Sequence, residues 1–375
     1  MPVRTSRRSR LDVDLADGLR EELVDRALRW NQHPILVPEG QEPGAARYRL
    51  DTLVQREGRR VRASSRLGDC ALGHVVWSLR IDCVLEDPLD AQAALGRGFI
   101  QSLRVGFAFG VDAQLPAAPS LAPWEALARA QALRLRQAPR LAAQAQAVLE
   151  AAVARSPDSA ALRAALGSVL FDVAWNDWCA DGAAVRRELL DCAERAVALD
   201  PDYVEALALR GLALALNGHP ERAMESAELA CAVDPLEPRA RTVRGFLAVL
   251  HGDPDEGLHD LLEGQRLGPY DAYRFAAWAS AALAHFAAGR DAQAVSMAER
   301  ANQVHPRWEA DCVLLAALVR MGRRQDAGPA LRRLRAVPAA REHLGAALAA
   351  SGPVFLEPLL EAVRTADRLA LPGAP

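Results

Sequence analysis

Hydrophobic and polar positions follow two different rhythms along the chain. Between residues 48 and 82 apolar and polar residues alternate, with short breaks at R-E-G-R and A-L-G. From about residue 120 onwards, apolar residues recur every three or four positions in Ala/Leu-rich stretches. A period of two is typical of half-buried strands, and a period near 3.6 is typical of amphipathic helices. The sequence therefore predicts a small domain with a sheet, followed by an all-helical region.

The helical region repeats itself at a fixed interval. Pro201, Pro235 and Pro269 each lie 34 residues after the last, and the words before them, A-V-A-L-D-P, A-C-A-V-D-P and G-Q-R-L-G-P, match. A fixed period in this range is the signature of a repeat array. Such arrays bind partners far more often than they catalyse reactions.

The unit between the first two of these prolines predicts a helical hairpin. Its first helix is expected to stop at Asn217-Gly218 and its second to begin at Pro220, where a missing N–H group costs nothing. Gly211 and Ala223 are expected where the two helices cross, because small side chains let the backbones approach closely. Two helices of about a dozen residues and two short turns fill the unit.

The array is predicted to extend in both directions. Pro157 has the same context as the later prolines, but the next step is 44 residues, which places an insertion around F-D-V-A-W-N-D-W-C-A-D-G. The step from Pro269 to Pro306 is 37 residues, which predicts a longer linker. A further unit follows with Gly322, and residues 355–369 are interpreted as a capping helix.

The repeat length, the small residues at helix crossings and the terminal proline resemble the tetratricopeptide repeat. The tryptophan that this family favours early in the first helix is Leu207 in one unit and Trp278 in a later one. An irregular helical bundle is the alternative, but several offsets agree at once. The resemblance implies a right-handed solenoid whose first helices line a concave face. The candidate partner contacts on that face are Glu205, Ala208, Leu212, Arg239, Thr242, Phe246, Arg274 and Trp278.

The first hundred residues predict a small α/β domain. The alternating stretch gives a three-stranded antiparallel meander with one polar face. A helix is expected over about 17–30 and a short strand at 34–38 before the meander, and a second helix over 87–100 after it. Both helices are expected to cover one face of the sheet.

Part of this domain resembles a known family. The string R-Y-R-L-D-T-L-V-Q-R-E-G-R-R-V-R-A-S-S-R-L-G-D-C-A-L-G-H-V-V-W-S-L-R-I-D and the segment A-D-G-L-R-E-E-L at 16–23 are similar to the TolB-like amino-terminal domain of bacterial regulators. The similarity covers roughly residues 12–105. In that family tetratricopeptide repeats follow the domain, and a class III adenylate/guanylate cyclase or a winged-helix module often precedes it.

The chain departs from the TolB-like pattern in three places. The family's Gly-Ser in the first meander strand is Thr52-Leu53, its opening strand is expected to be missing with only L-D-V-D remaining, and no output module precedes Leu11. The chain is therefore expected to be a stand-alone or decayed accessory protein, or to have a start that has been placed too late. Two domains are predicted, a truncated TolB-like domain over 1–115 and a tetratricopeptide-type solenoid with a C-terminal capping helix over 120–375.

Composition argues for a bacterial cytoplasmic protein. The net charge is −3, which gives no bulk electrostatic case for nucleic acid or membrane, and all 45 basic residues are arginine, as in GC-rich genomes. Six scattered cysteines form no Cys-x-x-Cys pair and are interpreted as reduced thiols. We expect no membrane span and no signal peptide.

The search for catalytic motifs predicts a protein that is not an enzyme and needs no cofactor or metal. The sequence contains no G-x-x-x-x-G-K-[ST], G-x-S-x-G, H-E-x-x-H or G-x-G-x-x-G motif. The densest His/acid cluster, H-G-D-P-D-E-G-L-H-D, is interpreted as a solvated turn in which Asp253 caps a helix, in preference to a metal site. Trp175 and Trp178 lie in the insertion, where either exposure at a binding surface or burial is open.

Arginines on the polar face of the meander form the other charged pattern. They favour a solvated sheet face over a nucleic-acid surface, because no aromatic residues alternate with them. The members of this set are Arg47, Arg49, Arg60, Arg62, Arg66 and Arg80.

The function that the sequence predicts is a non-catalytic scaffold or sensor-adaptor with a protein or peptide partner and no nucleic acid. Its groove is expected to prefer an extended or helical apolar segment. The alternative is a regulatory remnant of a class III cyclase, or of a winged-helix regulator, whose output domain lies outside this sequence. The oligomeric state stays open.

Overall fold

The computed structural model describes residues 3–5, 9–30, 47–112, 121–336 and 359. The chain divides into two compact units. Unit 1 comprises Met1–Arg136, Ala147–Ser156 and Gly268–Ala272, and unit 2 comprises Gln137–Gln146, Pro157–Leu267 and Tyr273–Pro375.

Unit 1 contains a four-stranded sheet and its helices. The elements are β1 (Val3–Thr5), α1 (Arg10–Trp30), β2 (Tyr48–Glu57), β3 (Arg60–Asp69), β4 (His74–Val84), α2 (Pro88–Asp112) and α3 (Pro123–Arg134). The strand order is β1-β2-β3-β4, and β2, β3 and β4 pair antiparallel. The predicted meander is therefore confirmed.

Three expectations for this region need correction or lie outside the described residues. A short strand does precede L-D-V-D, because β1 pairs parallel with β2. The word L-D-V-D belongs to α1, which begins seven residues before the predicted start at 17. Its first turn is fixed by Ser9, whose Oγ accepts a hydrogen bond from the backbone N–H of Asp12 at 3.2 Å. The predicted strand at 34–38 lies outside the described residues.

The core of unit 1 forms between one face of the sheet and the two long helices. Leu15, Leu19 and Leu23 of α1 are completely buried, as are Leu95 and Phe99 of α2. The sheet contributes Val54, Val61 and Ala63 from alternate positions to the same cluster. Because full burial of one such side chain is worth about 1.5–3 kcal/mol, this apolar layer explains why α1 and α2 lie on one side of the sheet.

Unit 2 is built from helical hairpins. Helix α4 (Pro139–Arg155) precedes them, with its residues up to Gln146 in unit 2 and its remaining residues in unit 1. The hairpins are α5/α6 (Ala160–Trp175, Gly182–Leu199), α7/α8 (Val204–Leu216, Pro220–Val233), α9/α10 (Pro238–Leu250, Pro254–Leu267) and α11/α12 (Arg274–Ala287, Asp291–Val304). They are followed by α13 (Trp308–Arg320), a 3-10 turn (Arg324–Ala327) and α14 (Gly328–Ala336).

The end of the first helix is encoded in the same way in four of these units. Gly218, Gly252, Gly289 and Gly322 follow α7, α9, α11 and α13, and all have φ between 73° and 91°. Glycine adopts this left-handed conformation without the steric cost of a Cβ, so it ends the helix and turns the chain. The predicted stop at Asn217-Gly218 is therefore confirmed, as is the start of the second helix at Pro220.

The two helices of a hairpin lie close together at Gly211, as predicted, and at the equivalent glycine of the next hairpin. A Cβ at Gly211 would lie 3.0 Å from the carbonyl oxygen of Ala223. At Gly245, in the next hairpin, a Cβ would lie 2.7 Å from the carbonyl oxygen of Gly257. Of the predicted capping helix at 355–369, only Leu359 is among the described residues, and it is buried.

Candidate partner-binding face

Four aromatic rings from three first helices meet in unit 2. We call Phe171, Trp175, Phe246 and Trp308 the aromatic cluster. Trp175 is its centre, with ring centroids 5.9 Å from Phe171, 5.6 Å from Phe246 and 5.3 Å from Trp308. In a simple solenoid each repeat contacts only its neighbours. Here α5, α9 and α13 contribute to one cluster, so non-adjacent hairpins are joined.

The insertion predicted from the 44-residue step supplies the central ring. Helix α5 has 16 residues and α7 has 13, so the additional turn of α5 ends at Trp175. The chain then turns through Asn176 and Asp177, which takes a left-handed φ of 51° where the other units use glycine. Trp175 is buried and Trp178 is half-buried, which settles the open alternative for Trp175.

The eight residues predicted to contact a partner lie in different environments in the structure. Ala208 and Leu212 lie in the apolar core, against which Phe171 and Phe246 pack. Their exposed fractions are 0% and 7%, so their side chains offer no free surface, and the expectation that they line an open groove is wrong. The physical reason is that the rings of Phe171 on α5 and Phe246 on α9 pack against the buried cluster to which α7 contributes these small and apolar side chains.

Two further predicted contacts face a second helix. Thr242 approaches α10, since a Cβ at Gly264 would lie 2.8 Å from the Thr242 Oγ1. The indole Nε1 of Trp278 donates to Gln265 Oε1 at 3.0 Å. Trp278 is half-buried there, with the Arg274 guanidinium carbon 5.7 Å from its ring centroid.

The remaining predicted residues stay accessible. Phe246 is half-buried with one side on Trp175, and Arg239 donates to the Ser168 hydroxyl of α5 at 3.4 Å. Glu205 is partly exposed in the first turn of α7. The three apolar or aromatic candidates therefore differ in their surroundings: Leu212 is buried, Phe246 is half-buried against Trp175, and Trp278 is half-buried and donates to Gln265.

A polar group beside the aromatic cluster was missed by the sequence reasoning. Arg307 and Glu309 flank Trp308 and are themselves buried, joined by a hydrogen bond from Nε to Oε1 of 2.7 Å. Arg307 also donates to Gln137 Oε1 at 2.6 Å and lies over the ring of Phe275. The tripeptide R-W-E after Pro306 could have drawn attention to this group. It combines an arginine and a tryptophan, two residue types that are enriched at protein interfaces.

This polar group changes the titration of its neighbour. Burial lowers the pKa of His305, and the nearby positive charge of Arg307 lowers it further. The His305 ring lies 5.1 Å from the ring of Phe275. The neutral imidazole is therefore the form that the fold favours.

The His/acid cluster of the third hairpin has structural roles. Asp253 Oδ1 accepts the backbone N–H of Glu256 at 3.0 Å, so Asp253 caps α10 as predicted. Asp260 is completely buried between Arg241 and Arg244 of α9. Within the described residues, no group of three or more His, Cys, Asp or Glu side chains is arranged to hold a metal ion.

The arginine-rich sheet face in unit 1 is partly neutralised. Arg49 pairs with Asp51 at 2.8 Å, and Arg62 pairs with Asp82 across the β3–β4 ladder at 2.7 Å. No helix in the described parts of the chain is long and apolar enough to cross a membrane.

Comparison with known proteins identifies the fold. No family model and no curated protein sequence matches the chain. Among solved structures, a tetratricopeptide repeat protein from Parabacteroides merdae is 16% identical over 65% of this chain and 92% of its own, with a TM-score of 0.44. A thermophilic TPR protein from Thermus thermophilus is 22% identical over 49% of this chain and 93% of its own, with a TM-score of 0.40.

The TM-score is higher for the solved structure of a monomeric mutant of IFIT1 with Gppp-AAAA. It is 15% identical over 73% of this chain and 64% of its own, with a TM-score of 0.51. The predicted fold class is confirmed, a small N-terminal four-stranded sheet followed by about 13 helices that form a tetratricopeptide-like solenoid. At these identities the likeness concerns the fold alone.

Proposed function

We propose that the protein is a non-catalytic scaffold that binds a protein or peptide partner through the first helices of its solenoid. The observation that carries the proposal is the half-buried ring of Phe246 on Trp175, with Arg239 two turns earlier on the same helix. Aromatic residues and arginine dominate the energetic centres of protein interfaces. A ring that is already held on one side loses little conformational entropy when a partner covers the other.

The chemistry of this face defines the partner. Phe246 offers an apolar contact, and Arg239 and Arg274 are half-buried cations for which the described residues provide no carboxylate. The best-matched partner is an extended or helical segment with one apolar anchor and an acidic residue near it. We infer that such a segment lies across α9 and α11.

The finer role is a sensor-adaptor in the bacterial cytoplasm, in which unit 1 acts as a TolB-like input domain. The observation behind this proposal is β1, a short strand that precedes α1 and pairs parallel with β2. The same observation favours the second candidate, a regulatory region of a class III cyclase or of a winged-helix regulator. We infer that the chain itself forms no cyclic nucleotide from ATP or GTP and retards no specific DNA, and assays of both activities test this inference.

Site-specific photo-crosslinking tests the proposal. A benzoylphenylalanine placed at Arg239 or Arg274 should capture a discrete partner from the source cells. The same group at Leu229, exposed on the second helix α8, is the matched control and should not capture it. Equal capture from both kinds of position, or capture from Leu229 alone, would place binding elsewhere.

A further inference from the structure

Among the described residues, the last strand of the sheet in unit 1 has a neighbouring strand on one side only. In the strand order β1-β2-β3-β4, β4 pairs with β3 on one side, and the described residues add no strand on the other. At 11 residues it is the longest strand. An edge of this length presents a row of backbone N–H and C=O groups that can pair with another strand.

Within the described part of the chain, the inner face of β4 is less buried than that of β3. On β3 the inward-facing residues Val61 and Ala63 are at most 1% exposed. On β4 the inward-facing row of Leu79, Ile81 and Cys83 is only half-buried. An additional strand beside β4 would cover this row in the same way that β4 covers β3, and burial of apolar area favours its addition.

The side chains on the outer face of β4 alternate in charge. Arg80 and Asp82 point to the same face, since strand side chains have a period of two. The Asp82 carboxylate pairs with Arg62 of β3, and the positive charge of Arg80 beside it adds to the lowering of the Asp82 pKa. Among the described residues, Arg80 forms no direct ion pair of its own. Arg80 and Asp82 are both exposed.

We infer that β4 pairs antiparallel with β4 of a second copy of this chain, about a two-fold axis at Ile81. In that register Arg80 of each copy lies opposite Asp82 of the other, which gives two symmetric ion pairs. On the inner face Ile81 lies opposite Ile81, and Leu79 lies opposite Cys83. The strand is therefore self-complementary in both charge and apolar character, and two-fold pairing of one surface with itself is the commonest form of oligomer.

Self-pairing would also cover the exposed apolar residue at the C-terminal end of β4. Ser78 would face Val84 of the second copy, and Val84 is 59% exposed in a single copy. The charges of Arg80 and Asp82 also disfavour pairing with unrelated strands. A strand without the complementary order of charges would leave these two groups unpaired or next to a like charge. The pairing would produce a continuous eight-stranded sheet from two four-stranded sheets.

Charge exchange between two variants tests this pairing. Sedimentation of the full chain at micromolar concentration should show a dimer. Arg80→Glu should raise the dimer dissociation constant at least about tenfold, because it replaces two attractive pairs with two repulsive ones. Arg66→Glu is the control, on the same sheet face but on the interior strand β3, and should change dimerisation less than threefold.

The second half of the test mixes the variants. The Asp82→Arg variant alone should also dimerise more weakly than the wild-type chain. An equimolar mixture of the Arg80→Glu and Asp82→Arg variants should recover a dimer, because one copy then carries two acidic side chains and the other two basic ones. A monomeric wild-type chain at 100 μM, a dimer indifferent to Arg80→Glu, or a mixture that stays monomeric would overturn the inference.

Hydrogen exchange keeps the inference testable if Asp82→Arg does not fold. Exchange of the backbone amides of residues 78–84 in the wild-type chain should slow as its concentration rises. Amides of β2 should be indifferent to concentration. If exchange in β4 and in β2 depended on concentration to the same extent, pairing through β4 would be contradicted.

Discussion

The indole ring of Trp175 lies 5.3 Å from that of Trp308, although the two residues belong to the first and last of the described first helices in the hairpin series. Trp175 ends α5 and Trp308 begins α13. Their contact makes the energetics of unit 2 less local than those of a simple repeat array, in which stability is a sum over neighbouring units.

This contact predicts coupled unfolding. Trp175→Ala and Trp308→Ala should each lower the free energy of unfolding by about 3–5 kcal/mol, as for other large buried rings. The double variant should lose less than the sum by about 0.5–1.5 kcal/mol, the usual strength of an aromatic pair. Urea unfolding followed by circular dichroism measures all three. Trp178→Ala, at a half-buried position, is the control and should cost less.

The closest helix crossing predicts different costs for two equivalent glycines. A Cβ at Gly245 would lie 2.7 Å from a backbone carbonyl and 2.9 Å from Leu261 Cγ, whereas the nearest atom at Gly211 is 3.0 Å away. Replacing glycine by alanine gains about 1 kcal/mol of helix propensity, and overpacking costs about 1–3 kcal/mol. Gly211→Ala should therefore be close to neutral in thermal melting, while Gly245→Ala should be clearly destabilising. The reverse order would disprove the packing argument.

The cysteines should differ sharply in reactivity. Burial raises the pKa of Cys192 and of Cys231 to about 11, and raises that of the fully buried Cys312 well above its usual value. Since the thiolate is the reactive form, these three should resist a disulfide reagent at pH 7.5. Exposed Cys70 should be labelled in the fastest phase of the reaction. The buried cysteines should become reactive only when guanidinium unfolds the chain. Rapid labelling of Cys312 in the folded chain would contradict its placement.

Mild acid should destabilise unit 2. Burial lowers the pKa of both His285 and His305 in the folded chain. As pH falls through the ordinary histidine value of about 6.5, the unfolded chain takes up protons first, so stability present at pH 8 is lost progressively towards pH 5. The melting temperature should fall over that range, and the double variant His285→Gln/His305→Gln should fall less.

Much of the solenoid could be predicted because its signals are local. The left-handed glycine after each first helix, the proline at each repeat end and the small residues at crossings act within one hairpin, so their spacing alone locates helices and turns. The meander could be predicted for the same reason, because alternation along a strand records one buried face.

The groove could not be predicted because it depends on contacts between distant hairpins. Leu212 was expected to face a partner, but it belongs to a buried cluster against which Phe171 of α5 and Phe246 of α9 pack. The sequence marks the insertion that lengthens α5, but not that its last residue, Trp175, reaches Trp308. Similarly, β1 has only three residues, too few to show a period of two.

The measurement that tests the scaffold proposal most directly is the affinity for the partner recovered by crosslinking. Calorimetry should show binding weakened at least tenfold by Phe246→Ala, since truncating an aromatic hot spot typically costs about 2 kcal/mol or more. Leu229→Ala, an exposed apolar change on α8, should alter affinity less than twofold. Equal affinity for Phe246→Ala and the wild-type chain, or a loss that merely tracks unfolding by circular dichroism, would contradict a binding face centred on Phe246.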